Sequence, residues 1–270
     1  MNFDFLSYAL IFFISVMTSA VSATVGLGGG LLLIPFIVLI FDLPLKVIAG
    51  TMLLAMIPYA GMATFRNLKN NYVNYKIGFI IEIGSIVGVF AGAYFSGLFP
   101  DLILKILFLL VAGYLMLTLK IPVDSPYNYI SRGFNAFNFI PPFITCRMYS
   151  ENRCSIPLLT TLGIIAGFFS GLLGIGGGFM NTPILIVAVG LPPKVAVGTS
   201  LFMILITALF GSIEHAFLGH MHFTLAAVIT VGMTIGAYTG TFTLEKVEEH
   251  KIKKYLLITM FAATILTLFR

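Results

Sequence analysis

The chain has 270 residues, of which 59% are hydrophobic and 9% charged, with a mean hydropathy of +1.06 and a net charge of +5. A soluble domain is about a quarter charged because its surface faces water. The composition therefore excludes a soluble fold, and with it a nucleic-acid-binding module, a disordered chain and a secreted disulfide scaffold. It predicts an all-α, multi-pass integral membrane protein whose Lys and Arg mark cytoplasmic loops.

The first element is an apolar run over 5–41. It contains Ser19-Ala20-Val21-Ser22-Ala23, which resembles a signal-peptidase site. The preceding Met1-Asn2-Phe3-Asp4 lacks a positive charge, and the repeat described below needs this segment, so it reads as a retained membrane element. Further uncharged runs cover 47–65, 83–100 and 106–119, then 155–193, 195–213, 216–244 and 255–269. Most suit one helix each, since a span takes roughly 17 to 25 residues. Cys146 and Cys154 lie eight residues apart, neither a CxxC pair nor a zinc spacing, and read as reduced thiols.

The runs fall into two copies of one unit. Gly26-Leu27-Gly28-Gly29-Gly30 recurs 148 positions later as Gly174-Ile175-Gly176-Gly177-Gly178. At the same offset Pro35 matches Pro183, Leu43-Pro44 matches Leu191-Pro192, Lys46-Val47 matches Lys194-Val195, and Gly50-Thr51 matches Gly198-Thr199. Gly84, Gly88 and Gly92 likewise fall on Gly232, Gly236 and Gly240. Shared Leu and Ile arise by chance in membrane sequences, but Gly, Pro, Lys and Thr at a constant offset mark a duplication. Residues 1–119 form the first transmembrane repeat, 120–156 a cytoplasmic linker and 157–270 the second repeat.

The opening run of each copy, 5–41 and 155–193, is too long for one helix and is interrupted by glycines with a proline five residues beyond. About 11 apolar residues follow the break, about 16 Å of helix or half a bilayer. Each opening run is therefore predicted to be a re-entrant broken-helix hairpin that turns at the glycines near the midplane.

Charge tests this reading. If the hairpins instead crossed the membrane, eight Lys and Arg would face the cytoplasm and seven the outside. With hairpins, each repeat has three full spans and the second repeat is inverted. Arg66, Lys69, Lys76, Lys120, Arg132, Arg147, Arg153, Lys194, Lys246, Lys251, Lys253 and Lys254 then share the inside, leaving Lys46, Lys105 and Arg270 outside. Retention of positive charge in the cytoplasm favours two inverted repeats, each a hairpin plus three transmembrane helices.

Broken backbone at membrane depth is tolerated where it lines a cavity. Two half-helix N-termini, carrying free N–H donors and the positive dipole end, make an anion site without a charged side chain. Candidate substrate-binding residues are Gly28, Gly29, Gly30, Gly176, Gly177 and Gly178, with Asn181 and Thr182 beside the second turn and Thr51, Thr199 and Ser200 on the following helices. A hydroxyl there is equally able to bond its own backbone one turn back. Gly84, Gly88 and Gly92 with their counterparts read as sites of close helix crossing. Glu82 and His215 are candidates for proton coupling. No residues are ordered as a nucleophile with its base or as a metal cluster, so neither enzyme, cofactor nor metal is expected.

The paired motifs GLGGGLLLIPFI (26–37) and GIGGGFMNTPIL (174–185), with LPLKVIAGT (43–51) and LPPKVAVGT (191–199), resemble the TauE/SafE family of sulfite exporters. That resemblance implies a permease of a bacterial or archaeal inner membrane that moves sulfur oxyanions or small organosulfur acids. The expected partners are a small anion, protons and the lipid bilayer, and no nucleic acid. A passive anion channel and an intramembrane enzyme are the alternatives.

Overall fold

The computed structural model describes residues 4–41, 43–120, 138–145 and 153–268. Ten helices follow one another among them: α1 (Phe5–Val25), α2 (Gly30–Phe41), α3 (Leu45–Lys69), α4 (Tyr75–Ser96), α5 (Asp101–Lys120), α6 (Ile156–Leu173), α7 (Gly178–Val187), α8 (Pro193–Phe217), α9 (Phe223–Lys246) and α10 (Glu249–Leu268). At the 148-residue offset the first five correspond one by one to the second five. The described residues are nearly all helical. The exception is a short antiparallel pair in the linker, β1 (Phe143–Thr145) with β2 (Arg153–Ser155), in which Ile144 opposes Cys154.

One expectation for the linker changes. Cys154 is disulfide-bonded rather than a free thiol. Antiparallel pairing draws together segments on either side of a hairpin, which a linear spacing does not reveal. Most of 120–156, Cys146 included, lies outside the described residues.

Among the described residues, six helices are long and apolar enough to cross a membrane: α1, α3, α4, α6, α8 and α9. The incoming limbs of both hairpins are thus full-length helices of 21 and 18 residues, while the returning limbs α2 and α7 have 12 and 10. Each incoming limb runs uninterrupted because nothing stops it before a left-handed glycine, Gly26 (φ 74°) or Gly174 (φ 69°). Pro35 and Pro183 lie inside the returning limbs rather than ending them. α4 is capped by Asn74, whose side chain accepts the Ile77 N–H at 3.2 Å, and Glu82 falls inside this helix. One side of α1, made of Leu6, Leu10, Phe13, Met17 and Val21, is exposed at helical spacing. Ser15 and Ser19 face inward and donate to carbonyls one turn back.

Close helix crossings join the repeats. Side-chain carbon at Gly84, Gly88 or Gly92 of α4 would strike the Thr160, Ile164 or Phe168 carbonyl of α6. Gly163, Gly167 and Gly171 of α6 meet Ile81, Ser85 and Val89 in return. The second crossing matches it, with Gly232, Gly236 and Gly240 of α9 against Phe12, Val16 and Ala20 of α1. Small residues allow such approach, and dispersion replaces the hydrophobic effect as the source of stability in lipid.

These crossings fix helix directions. Phe12 lies at Gly232 and Ala20 at Gly240, so α1 is parallel to α9. Thr51, near the start of α3, holds the N–H of His222 at the start of α9, and Arg66, near the end of α3, pairs with Glu245 near the end of α9. α3 and α9 are therefore parallel too. α4 turns back from α3 and is parallel to α6, so α1 and α6 run in opposite directions.

Candidate functional site

The two glycine turns meet. At the first, the N–H groups of Gly26 and Leu27 both donate to the Ser22 carbonyl, at 2.8 and 3.1 Å, which closes α1. At the second, the Gly174 N–H donates to Ser170 at 2.8 Å. A Cβ on Gly30, the first residue of α2, would lie 3.0 Å from the Gly174 carbonyl oxygen and 3.1 Å from the Ile175 Cα. On Gly178, the first residue of α7, it would lie 2.7 Å from the Leu27 carbonyl carbon and 2.8 Å from the Gly26 oxygen. The start of each half-helix thus rests on the opposite repeat's turn, and the two contacts are equivalent at the 148-residue offset. The leading N–H groups of both half-helices have no acceptor within their own helix, as at any helix start.

Buried side chains of α3 and α8 wedge the pair. Met56 reaches both turns, with its Cε 2.5 Å from a Cβ position on Gly30 and its Sδ 2.6 Å from one on Gly176. Ile204, its equivalent on α8, stands 2.5 Å from the same position on Gly178 and 3.3 Å from that on Gly28. Met233 of α9 fills the space over Gly29. Sequence reasoning missed these three residues. The offset pairs Met56 with Ile204, but apolar positions carry no visible signal among so many others.

The predicted polar residues divide by what holds them. Thr182 Oγ1 and Ser200 Oγ both donate to the Gly26 carbonyl, at 2.6 and 2.9 Å. They therefore pin the first turn from the second repeat. Thr51 Oγ1 donates to Val47 O at 2.6 Å and accepts the His222 N–H at 2.9 Å, while Thr199 Oγ1 accepts the Asn74 N–H at 2.9 Å. The preceding Gly50 and Gly198 sit against the carbonyls of His220 and Tyr72. Each Gly-Thr pair thus docks a loop of the other repeat. Asn181 differs. It is 2% exposed, and neither its Oδ1 nor its Nδ2 has a partner among the described residues. The hydroxyls of Ser170 and Ser22 are also buried and have no partner among the described residues.

The two candidates for proton coupling lie apart from the turns' own atoms. Glu82 is buried, and its Oε2 accepts from Thr207 Oγ1 at 2.8 Å, which lies 3.3 Å from Ser85 Oγ. Its Oε1 has no partner among the described residues. His215 Nε2 meets the Gly171 carbonyl at 3.0 Å, and its ring stands 5.7 Å from that of His220.

Charge is partitioned between the ends of the bundle. Glu245 accepts from Arg66 Nε at 2.5 Å and from Asn70 Nδ2 at 2.7 Å, and its carbonyl accepts from Lys194 Nζ at 3.0 Å. Arg66 also lies 4.8 Å above the Phe242 ring. Lys46 acts instead on His220, which precedes the other end of α9. That helix has 24 residues, about 36 Å, so Lys46 and Lys194 are at opposite ends of it.

A family model described as sulfite exporter TauE/SafE matches residues 11–267. The chain is 30% identical over 267 residues to the probable membrane transporter protein YunE of Bacillus subtilis, covering 94% of this chain and 95% of that one. It is 28% identical over 270 residues to the probable membrane transporter protein YdhB of the same organism, covering 96% and 100%. It is also 30% identical over 222 residues to the probable membrane transporter protein MJ0441 of Methanocaldococcus jannaschii, covering 80% and 75%. No solved structure matches it significantly.

Proposed function

Because the chain belongs to the sulfite exporter TauE/SafE family of membrane transporters, we propose that it is a secondary carrier exporting a small anion, sulfite or another sulfur oxyanion or organosulfonate. The anion sits between the two glycine turns. The reciprocal seating of Gly30 on the second turn and Gly178 on the first supports this reading, because it brings the starts of the two half-helices close together inside the protein.

In this reading the backbone of Gly28, Gly29, Gly30, Gly176, Gly177 and Gly178 supplies donors, and Asn181 supplies an amide. Thr182 and Ser200 position the first turn, and Thr51 and Thr199 position the loops. The basic end with Arg66 and Lys194 faces the cytoplasm of a bacterial or archaeal cell. Rocking of one repeat against the other opens the seat to each side in turn, with Met56, Met233 and Ile204 moving aside. Glu82 and His215 carry protons.

Proteoliposome flux tests the assignment. Purified protein is expected to give saturable sulfite flux with counterflow, and Gly29→Val or Gly177→Val is expected to abolish it while the protein still inserts. Normal transport by both variants removes the seat from the turns. Flux that neither saturates nor shows counterflow makes the protein a channel.

A further inference from the structure

The two turns match in backbone at Gly26 and Gly174 and at Gly28 and Gly176, all at positive φ, but Gly177 is left-handed (φ 72°) where Gly29 is not, and what faces them also differs. Met233 closes the space over Gly29. At Gly177, the N-cap of α7, the atoms nearest a Cβ would be Asn181 Nδ2 at 3.3 Å, Ser170 Cβ at 3.5 Å and Ser170 Oγ at 3.7 Å. The duplication explains the difference. Asn181 stands where the first repeat has Leu33, and Ser85 stands where the second has Met233. One turn is therefore capped by a thioether and the other by two buried polar side chains whose hydrogen-bonding capacity is unused among the described residues.

The chemistry of that corner is restrictive. No Lys or Arg occurs from 1 to 45 or from 154 to 193. The positive field available is the end of a helix dipole, about half a unit charge. It compensates a single negative charge far better than two, and an uncompensated buried charge is expensive. Asn181 adds donors through Nδ2 and an acceptor through Oδ1. A fully deprotonated oxyanion has only acceptors and leaves Oδ1 unpaired against a ligand oxygen. A ligand that keeps one O–H satisfies it.

We propose that the corner formed by Gly177, Asn181 and Ser170 selects singly charged oxyacids that retain one O–H, so that a hydrogensulfite-type ion is taken in preference to sulfonates and to dianions. The inference rests on the reading that the turns hold an anion, and it narrows the substrate class at that site. The buried titratable groups on the helices packed around this turn are Tyr59 on α3, Glu82 on α4 and His215 on α8, with no buried Lys or Arg among the described residues. Comparing ligands at one fixed pH holds those groups constant.

Two probes isolate the O–H. At mildly acidic pH, methylphosphonate and methanesulfonate share shape and a single negative charge, and only methylphosphonate carries a hydroxyl. Titration calorimetry on the purified full chain in nanodiscs is expected to show methylphosphonate binding about tenfold more tightly or better. Asn181→Leu is expected to reduce its affinity to that of methanesulfonate, and Ser170→Ala serves as a milder variant should Asn181→Leu fail to fold. Equal affinities in the parent protein, no binding of methylphosphonate, or an undiminished preference in the variant that folds overturns the selection. If Gly177→Val binds both probes as the parent does, the anion seat itself is lost. A Gly177→Val protein that binds neither probe, beside a parent that binds both equally, removes only the selectivity.

Discussion

The Thr182 hydroxyl donates to the Gly26 carbonyl at 2.6 Å across 156 positions of sequence. Ser200 reaches the same oxygen at 2.9 Å. The helix that ends at Gly26 is thereby fastened to both α7 and α8 of the other repeat. A net intramolecular hydrogen bond is worth about 1 kcal/mol. Thr182→Val and Ser200→Ala should each lower the melting temperature modestly. The double variant should lose more than the two single losses combined, because it alone leaves the carbonyl without either hydroxyl. Strict additivity in detergent melts would show that the carbonyl is not shared in this way.

The crossings give a sharper contrast. Gly88→Ala places a methyl against the Ile164 carbonyl, so α4 and α6 must separate along their length, and a loss of about 2 kcal/mol or more is expected. Gly113 on α5 has nothing within 4 Å of its Cβ position, so Gly113→Ala should be neutral or stabilise by up to about 1 kcal/mol. Similar melting losses for both would refute the close crossing.

Single cysteines in place of Lys46 and Lys194 report orientation. Membrane-impermeant maleimide should label Lys46→Cys in intact cells and Lys194→Cys only after the cells are opened. Labelling of both from one face would mean that the repeats share a direction.

The Arg66 and Glu245 pair links α3 to α9 at the basic end, with side chains 19% and 29% exposed. Partly exposed pairs contribute up to about 1 kcal/mol. A double-mutant cycle with Arg66→Ala and Glu245→Ala should give a coupling of that order which shrinks at high salt. A coupling insensitive to salt would point to packing of Arg66 on Phe242 instead.

His220 lies in the loop between α8 and α9, and its ionisation falls below the ordinary histidine range through burial and the nearby charge of Lys46. The native state therefore binds fewer protons than the unfolded chain in mildly acidic solution. Its contribution is full above the ordinary histidine range and is lost as pH falls through that range toward the depressed native value. His220→Gln should flatten the melting temperature over that window, and an unchanged slope would exclude this residue as a source.

Legibility followed chemistry at fixed spacing. The duplication, the turns and the glycine crossings stood out because Gly and Pro act through the backbone, and a constant offset exposes them in a sequence dominated by Leu and Ile. The seats of Thr51 and Thr199 did not, because their partners are backbone N–H groups of Asn74 and His222, which no residue type announces. The hydroxyls of Thr182 and Ser200 were visible beside the turn, but whether they face a ligand or the Gly26 carbonyl depends on where the other repeat lies. Met56, Ile204 and Met233 were hidden for the opposite reason, being ordinary apolar residues among many.

The pairing of α1 with α9 bears on how the protein is made. The groove that receives Phe12, Val16 and Ala20 lies more than 200 residues downstream in the sequence. Ribosomes add about 5–20 residues per second, so the newborn first helix waits on the order of 10 to 40 seconds in the bilayer before its mate is synthesised. Throughout that interval its inward serines must be content with their own backbone carbonyls, which is where Ser15 and Ser19 already donate.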